Sequence, residues 1–123
     1  MSFRQAHMPE ADFRHSILLG ANFYGTVLAQ ARFEHANLLA SNWDWANLTQ
    51  ADFRHALLAN ASMIGANLAN ANLAGASLAL ADLTSANLRN ANLLGANLQG
   101  ANLSKANLFG ARVDQSTAAS CTL

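Results

Sequence analysis

Three histidines recur at intervals of twenty residues, and a regular series of imidazoles is a candidate metal site. They are His15, His35 and His55. A zinc site of the three-histidine type needs three nitrogens converging on one ion at about 2.0 to 2.1 Å. If the histidines lie on successive strands of a stack, the series spans about 10 Å and its nitrogens share no common point. We therefore expect a solvated histidine ladder, with no metal bound.

Charged residues follow the same twenty-residue interval beside the histidines. Two columns alternate in sign, one made of Asp12, Arg32 and Asp52 and the other of Arg14, Glu34 and Arg54. On stacked strands each residue would have an opposite charge above or below it, and exposed pairs of this kind contribute about 0.2 to 1 kcal/mol each. The alternation favours a charge ladder that fixes the register of the stack over the alternative, a binding patch.

Residue combinations typical of catalysis are missing from the sequence. It contains no nucleophile-and-base motif, no metal-ligand spacing and no glycine-rich phosphate loop. The other acidic residues are separated in the chain: Glu10, Asp44, Asp82 and Asp114. The sequence predicts a protein that is not an enzyme and needs no cofactor.

Composition excludes several classes of partner. The 123 residues contain seven Lys plus Arg and seven Asp plus Glu, so no excess charge attracts nucleic acid or an anionic membrane. The single cysteine, Cys121, has no partner for an intrachain disulfide. Neither a signal-peptide core nor an apolar run of eighteen residues occurs, so we expect a soluble, cytoplasmic protein.

A period of five residues runs from residue 1 to residue 115 without an insertion. The third residue of every quintet is apolar, and the first is alanine in nineteen of the 23 quintets. The second residue is Asn in eleven and Asp in three, as in Ala66-Asn67-Leu68 and Ala91-Asn92-Leu93. Such self-similarity indicates a repeat architecture.

The period excludes a helix and a long flat strand. Five residues turn a helix by about 500°, which scatters the leucines around its axis. An odd period would send successive leucines to opposite faces of a strand. Short extended segments that bend after each quintet satisfy the pattern, with the first and third residues pointing inward.

The register resembles the pentapeptide-repeat family, whose motif is Ala, then Asp or Asn, then Leu or Phe, then two free positions. The resemblance implies an all-β right-handed quadrilateral parallel β-helix with four quintets per coil, here about 23 quintets in nearly six coils. The mutual alignment of residues 11–30, 31–50 and 51–70 supports a twenty-residue coil independently. We expect one solenoid domain at residues 1–115 and a tail or cap at residues 116–123.

Stacking by twenty brings bulky third residues into two facing inner columns. The predicted core includes Phe3, Phe13, Phe23, Phe33, Trp43, Phe53, Leu73 and Leu93. Rings alternating with smaller aliphatic side chains around each coil are what close packing requires. We expect a filled core without a ligand-binding lumen.

One predicted wall has apolar residues at outward positions, and it is the candidate partner face. Its residues are Ile17, Leu19, Leu39, Leu57 and Leu80. An apolar stripe across several coils of a rigid surface indicates a contact. Tyr24, Trp45 and Ile64, on another wall, form a second candidate.

These observations favour a non-catalytic structural or protein-interaction module with an unknown protein partner. The alternative comes from the resemblance, since some members of the family are DNA mimics that regulate DNA gyrase; the neutral surface argues against it. The resemblance also implies a homodimer formed by end-to-end stacking, because the ends of an uncapped coil offer unpaired strand edges. The run from Ala86 to Gly110 resembles cyanobacterial relatives.

Overall fold

The computed structural model describes residues 1–115, 117 and 122, and every quintet within residues 1–110 has the same backbone. The second residue forms a parallel β-bridge, and the fourth and fifth residues form a turn. Each bridge joins residues twenty apart, as between Ser2 and Asn22 or between Asp82 and Asn102. Four quintets therefore complete one coil, and the coils stack in parallel as a four-sided β-solenoid.

Four columns of bridge residues define four walls, which we name after the first inward residue of each. The Phe3 wall runs from Ser2 to Thr122, the Met8 wall from His7 to Asn107, the Phe13 wall from Asp12 to Arg112, and the Leu18 wall from Ile17 to Asn97. Each strand is a single bridge residue, and Gln115 and Thr117 are helical. Among the described residues no helix has the length and hydropathy that a membrane span requires.

Backbone hydrogen bonds join each coil to the next at three points of the quintet. The N–H of Phe3 donates to the carbonyl of Asn22 at 2.7 Å, and the N–H of Asn22 donates to Met1 at 2.9 Å. At the corner, the N–H of Gln5 donates to Tyr24 at 2.8 Å. Because the same set recurs in the following coils, the side walls leave few backbone donors unpaired.

The turn between successive quintets explains which residues occupy the fifth position. The N–H of each first residue donates to the carbonyl three residues earlier, as from Ala6 to Phe3 at 2.9 Å. The fifth residue is left-handed in all 22 quintets of residues 1–110, with φ between 57° and 75°. A positive φ at that turn position defines a type II turn, which favours glycine. All seven glycines of the chain are fifth residues.

The first residue of each quintet is small because it faces the interior beside the turn. Alanines from Ala21 to Ala101 in this position are almost fully buried. Two of the exceptions satisfy their hydroxyls locally: Thr26 donates to the carbonyl of Phe23 at 2.8 Å and Ser41 to that of Leu38 at 2.6 Å. These bonds remove the cost of burying a hydroxyl group.

Aromatic rings fill the N-terminal half of the core in two stacked columns. Phe23 and Trp43 stack at 4.1 Å between centroids, and Phe33 and Phe53 stack at 4.9 Å. Rings of facing columns meet edge to face, as Phe33 and Trp43 do at 5.1 Å. Both arrangements are favourable for aromatic pairs.

The predicted core residues differ in burial according to their coil. Six are fully buried: Phe23, Phe33, Trp43, Phe53, Leu73 and Leu93. Phe3 and Phe13 are partly buried and pack against that cluster, since they belong to the first coil. At the other end Val113 is 41% exposed.

Beyond residue 115 the structure describes two threonines. Thr122 pairs with Asn102, so it extends the Phe3 wall in the five-residue register. The Thr117 hydroxyl donates to the carbonyl of Ala96 at 2.9 Å. Residues 116, 118–121 and 123, including Cys121, lie outside the described residues, and the division of the chain at residue 115 stays a prediction.

Side chains of fifth residues lean over the corner of the following coil, and glycine there makes room for them. The Trp45 ring covers Gly65 so closely that a Cβ on Gly65 would overlap it. His55 covers Gly75 in the same way. A Cβ on Gly20, by contrast, would meet nothing within 4 Å.

We expect Gly65→Ala to destabilise the protein more than Gly20→Ala. Both variants place alanine at a positive φ, which costs about 1 to 2 kcal/mol. Gly65→Ala must also displace the Trp45 ring, which adds about 1 to 3 kcal/mol. Urea unfolding of the two variants and of the parent measures the difference. Equal losses would show that Trp45 is not held over Gly65.

Candidate interaction surfaces

The six residues of the predicted charge ladder lie together on the Phe13 wall, but most of their ion pairs run along the quintet. Asp12 pairs with Arg14 at 2.7 Å and Asp52 with Arg54 at 2.7 Å. Arg32 reaches Glu34 at 3.3 Å. The sequence predicted pairing between coils, which holds only for Arg54 and Glu34, at 4.0 Å.

Local geometry explains this difference. The second and fourth residues of a quintet both point outward and are two positions apart, so their side chains meet without crossing to another coil. In Asp12 and Asp52 the carboxylate also accepts the backbone N–H of the following arginine, at 3.1 and 3.0 Å. The bonds from one arginine therefore satisfy both carboxylate oxygens.

These contacts lower the pKa of both aspartates. The side-chain hydrogen bond from Arg14 is the main cause that holds the pKa of Asp12 well below its usual range. Burial alone would raise the pKa of Asp52, but the side-chain and backbone hydrogen bonds from Arg54 outweigh it and the pKa is lowered. Because the folded-state pKa is depressed, the stability that each pair adds is present above the unfolded pKa and is lost as the pH falls below it.

The three histidines form a stacked ladder along one corner. Centroids of His15 and His35 are 5.2 Å apart with an interplanar angle of 2°, and those of His35 and His55 are 5.1 Å apart at 17°. Nearly parallel rings direct their nitrogens in parallel, which does not suit convergent ligation. Within the described part of the chain no group of three or more His, Cys, Asp or Glu side chains could hold a metal ion.

An open groove of about 320 Å³ separates the ladder from the ion pairs. We call it the His–Arg groove, and its lining residues are Arg14, His15, Glu34, His35, Arg54 and His55. The Glu34 side chain is only 12% exposed, and its buried Oε1 has no hydrogen-bond donor. A buried acceptor without a donor is costly, so this oxygen is the least satisfied polar atom of the groove.

The Leu18 wall presents the predicted apolar residues to solvent. Ile17 is 75% exposed, Leu19 59%, Leu57 43% and Leu80 64%, whereas Leu39 is half-buried. No charged residue occurs in its five quintets, residues 16–20, 36–40, 56–60, 76–80 and 96–100. An apolar and uncharged stripe on a rigid wall is typical of a contact surface.

The second predicted surface lies on the Phe3 wall, and its residues contact neighbouring residues of the solenoid. Trp45 is 61% exposed but lies against Gly65, and Tyr24 lies under Arg4, whose guanidinium carbon is 5.0 Å from the ring centroid. Asp44 accepts the hydroxyl of Ser62 at 2.6 Å and the N–H of Ile64 at 2.9 Å. These side chains serve contacts within the solenoid.

Sequence reasoning did not predict the hydrogen bond that the side chain of the second residue accepts. In Asn102 the side-chain Oδ1 accepts the N–H of Ser104 at 2.9 Å, and Asn22, Asn42, Asn72 and Asn92 make the same bond. This bond pairs the N–H of the fourth residue, which the backbone bonds between coils leave free. The signal was present, since Asn and Asp at a fixed place before a turn indicate this local hydrogen bond.

The described residues thus define a four-sided β-solenoid whose outward side chains form regular columns along the coils. The family model for pentapeptide repeats (8 copies) matches residues 6–42, 46–84 and 76–115. The chain therefore belongs to the pentapeptide-repeat family, and its fold is a right-handed quadrilateral parallel β-helix. No curated protein matches the chain.

Several solved structures resemble the chain. HetL, a pentapeptide repeat protein involved in heterocyst differentiation regulation from the cyanobacterium Nostoc sp. strain PCC 7120, is 29% identical with a TM-score of 0.55. The match covers 90% of this chain but only 59% of HetL. QnrB1, a plasmid-mediated fluoroquinolone resistance protein, is 16% identical with a TM-score of 0.59, covering 96% of this chain and 86% of that one. The likeness to QnrB1 shows the fold alone.

Proposed function

We propose that this protein is a non-catalytic interaction module and that a protein partner docks on the Leu18 wall. The observation that carries the proposal is the exposure of Ile17, Leu19, Leu57 and Leu80 on an uncharged wall. A solenoid holds such residues at fixed spacing, so a partner meets a preorganised surface.

Regulation of DNA gyrase is the weaker candidate. A DNA mimic needs dense negative charge to occupy a channel for phosphates, and the chain has equal numbers of acidic and basic residues. Asp12, Glu34 and Asp52 are moreover paired with arginines. The surface charge therefore favours an apolar contact.

A homodimer formed by end-to-end stacking and a cytoplasmic location are further proposals, independent of the docking wall. Strand edges at the end of a parallel stack can pair with a second copy. Sedimentation equilibrium would count the copies, and a strictly monomeric protein would exclude the dimer.

We expect the double variant Leu39→Gln and Leu57→Asn to lose its partner while remaining folded. Both replacements are residues that already occupy the same columns of the Leu18 wall, Gln99 and Asn97. Removing central apolar anchors from an interface weakens a complex by about 2 kcal/mol or more each. Binders are first selected on the parent protein from a displayed library of protein domains. The affinity of these binders is then measured for the parent and for the double variant.

The matched control is Arg14→Gln with Arg54→Gln, which changes charges on the neighbouring wall. Circular dichroism and thermal unfolding must show that both double variants are folded. If the binders hold the Leu39→Gln and Leu57→Asn variant as tightly as the parent, the Leu18 wall is not the docking face.

A further inference from the structure

The two outward columns of the Phe13 wall carry opposite charges side by side in every coil where this wall is charged. In the first and third coils an aspartate at the second position pairs with an arginine at the fourth, and in the second coil the order of the charges is reversed. The sixth coil repeats the reversed order with Arg112 and Asp114, and in the fourth and fifth coils both positions are uncharged. Each column is therefore the charge mirror of the other.

A second copy of the chain complements this pattern when the two Phe13 walls face each other across a two-fold axis parallel to the solenoid axis. Such an axis keeps the coils of both copies at the same height and sets the second-position column of one copy against the fourth-position column of the other. Asp12 then faces Arg14 of the second copy, and Arg32 faces Glu34 of the second copy. Every charged residue of the wall meets an opposite charge.

The reversed order in the second coil determines how two copies align. A shift by one coil would set Asp12 against Glu34 of the second copy and Arg32 against Arg14 of the second copy. A two-fold axis perpendicular to the solenoid axis at the second coil would set Arg32 against its own equivalent and Glu34 against its own. Facing like charges strongly disfavour a contact, so the alternation selects the parallel arrangement in register.

The arginines of the wall keep donors that a second copy can use. Arg14 donates to Asp12 from Nε at 2.9 Å and from Nη2 at 2.7 Å, and Arg54 donates to Asp52 from the same two atoms at the same distances. A guanidinium has five N–H groups, and Nη1 of these two arginines has no hydrogen bond to a described residue. Their side chains are 40% and 48% exposed, so the remaining donors are accessible.

Glu34 lacks a donor that a second copy would supply. Its Oε2 lies 3.3 Å from Nη2 of Arg32, but its Oε1 is buried without a hydrogen-bond partner. Glu34 lines the His–Arg groove, and the parallel two-fold axis sets Arg32 of the second copy over that groove. A guanidinium binds a carboxylate best through two N–H groups, which requires the Glu34 carboxylate to turn outward. The groove and the unpaired oxygen thus favour the same contact as the charges.

We propose that the Phe13 wall is the interface of a side-by-side homodimer, in which two solenoids run in the same direction on either side of a two-fold axis. The wall is about 10 Å wide and about 25 Å long, which is smaller than the standard interface between proteins. The dimer is therefore weak, and salt weakens it further because its contacts are charged. This inference goes beyond the proposed function, since it uses a different wall and leaves the Leu18 wall free.

The first test is sedimentation equilibrium of the full chain at about 0.5 mM, in about 20 mM and in about 500 mM NaCl. We expect a dimer at low salt and a dissociation constant at least about tenfold higher at high salt. The neutral variant Asp12→Asn, Arg14→Gln, Asp52→Asn and Arg54→Gln should be monomeric in both. It should fold, because the second and fourth positions of another quintet already hold Asn97 and Gln99, and Asn97 accepts the N–H of Gln99 at 3.0 Å.

A second variant keeps the net charge and exchanges the two columns. Its substitutions are Asp12→Arg, Arg14→Asp, Arg32→Glu, Glu34→Arg, Asp52→Arg and Arg54→Asp. Two copies of this variant still set opposite charges against each other, but one copy facing the parent sets like charges together at all six positions. Energy transfer between N-terminally labelled chains measures mixing. We expect the mixed pair to be at least about tenfold weaker than the parent homodimer. Circular dichroism must show a folded variant, and the neutral variant decides the question if it is unfolded.

The other outcomes would overturn the dimer and are separate from the proposed function. A parent protein that is monomeric at low salt refutes the side-by-side interface, and the Leu18 wall stands if selected domains still bind it. Free mixing of the parent with the folded exchanged variant, or a dimer that persists in the neutral variant, would place the contact at the ends or on another wall. Loss of that dimer in the Leu39→Gln and Leu57→Asn variant would assign it to the Leu18 wall.

Discussion

Deletion of residues 71–90 should leave a folded and shorter solenoid, whereas deletion of Ala71 and Asn72 alone should prevent the C-terminal half from folding. Removal of twenty residues brings residues 51–70 onto residues 91–110, and every column keeps its register. Leu93 replaces Leu73 beneath Phe53, and Gly95 replaces Gly75 beneath His55. The contact of Trp45 with Gly65 is untouched by this choice.

The position of the deletion matters as well as its length. Deletion of residues 61–80 also keeps the register, but it places Ser85 beneath Trp45, where a Cβ would overlap the ring if it took the place of Gly65. Deletion of residues 21–40 would stack Arg14 on Arg54 and Asp12 on Asp52. Residues 71–90 form a window that avoids both conflicts.

The two-residue deletion changes which side chains face inward. Downstream of the cut, fifth residues such as Gly75, Leu80 and Asn90 move to the inward third position, and leucines move to the crowded first position. A register slip that exchanges core and surface residues is not tolerated where a face is buried. Thermal unfolding and small-angle scattering compare the two variants. Equal stability of both would contradict the twenty-residue coil.

The five-residue period predicts which residues face inward, and the alignment of residues 11–30, 31–50 and 51–70, together with the family resemblance, predicts the four walls. Because the third residue of every quintet is apolar, the chain must bend once per quintet to keep these residues on one side. The bend therefore determines which side chains face inward. The contacts of surface residues are harder to predict. Arg14 has Asp12 and Glu34 within reach, and the choice between them depends on side-chain rotamers that a pattern of residues does not contain.

The contacts that fifth residues make at the corners are equally hard to predict from the sequence. Sequence alone places Trp45 and Gly65 in one column, but it does not say that the fifth side chain leans toward the following coil. The left-handed backbone of the corner determines that direction, and fifteen of the 22 corners adopt it without glycine. The second-residue hydrogen bonds to the turn help to hold these corners in place.

Phe33→Ala should cost about 3 to 5 kcal/mol of unfolding free energy, which is the largest effect we expect of a single substitution. The Phe33 side chain is fully buried and lies against four other rings. It stacks between Phe13 at 5.2 Å and Phe53 at 4.9 Å, and meets Phe23 and Trp43 edge to face at 6.0 and 5.1 Å. Alanine leaves a cavity that backbone bonds between coils hold open.

Three controls make the Phe33→Ala measurement specific. Phe33→Leu installs the residue found in the same column at Leu73 and Leu93 and leaves a smaller cavity than alanine does, so it should cost less than Phe33→Ala. Phe13→Ala removes a ring that is already partly exposed and should cost less than Phe33→Ala. His35→Ala, on the surface beside it, should stay within about 0.5 kcal/mol. Urea unfolding at neutral pH ranks the four variants by their free energy of unfolding. If His35→Ala lost more unfolding free energy than Phe33→Ala, the histidine ladder and not the aromatic core would stabilise the N-terminal coils.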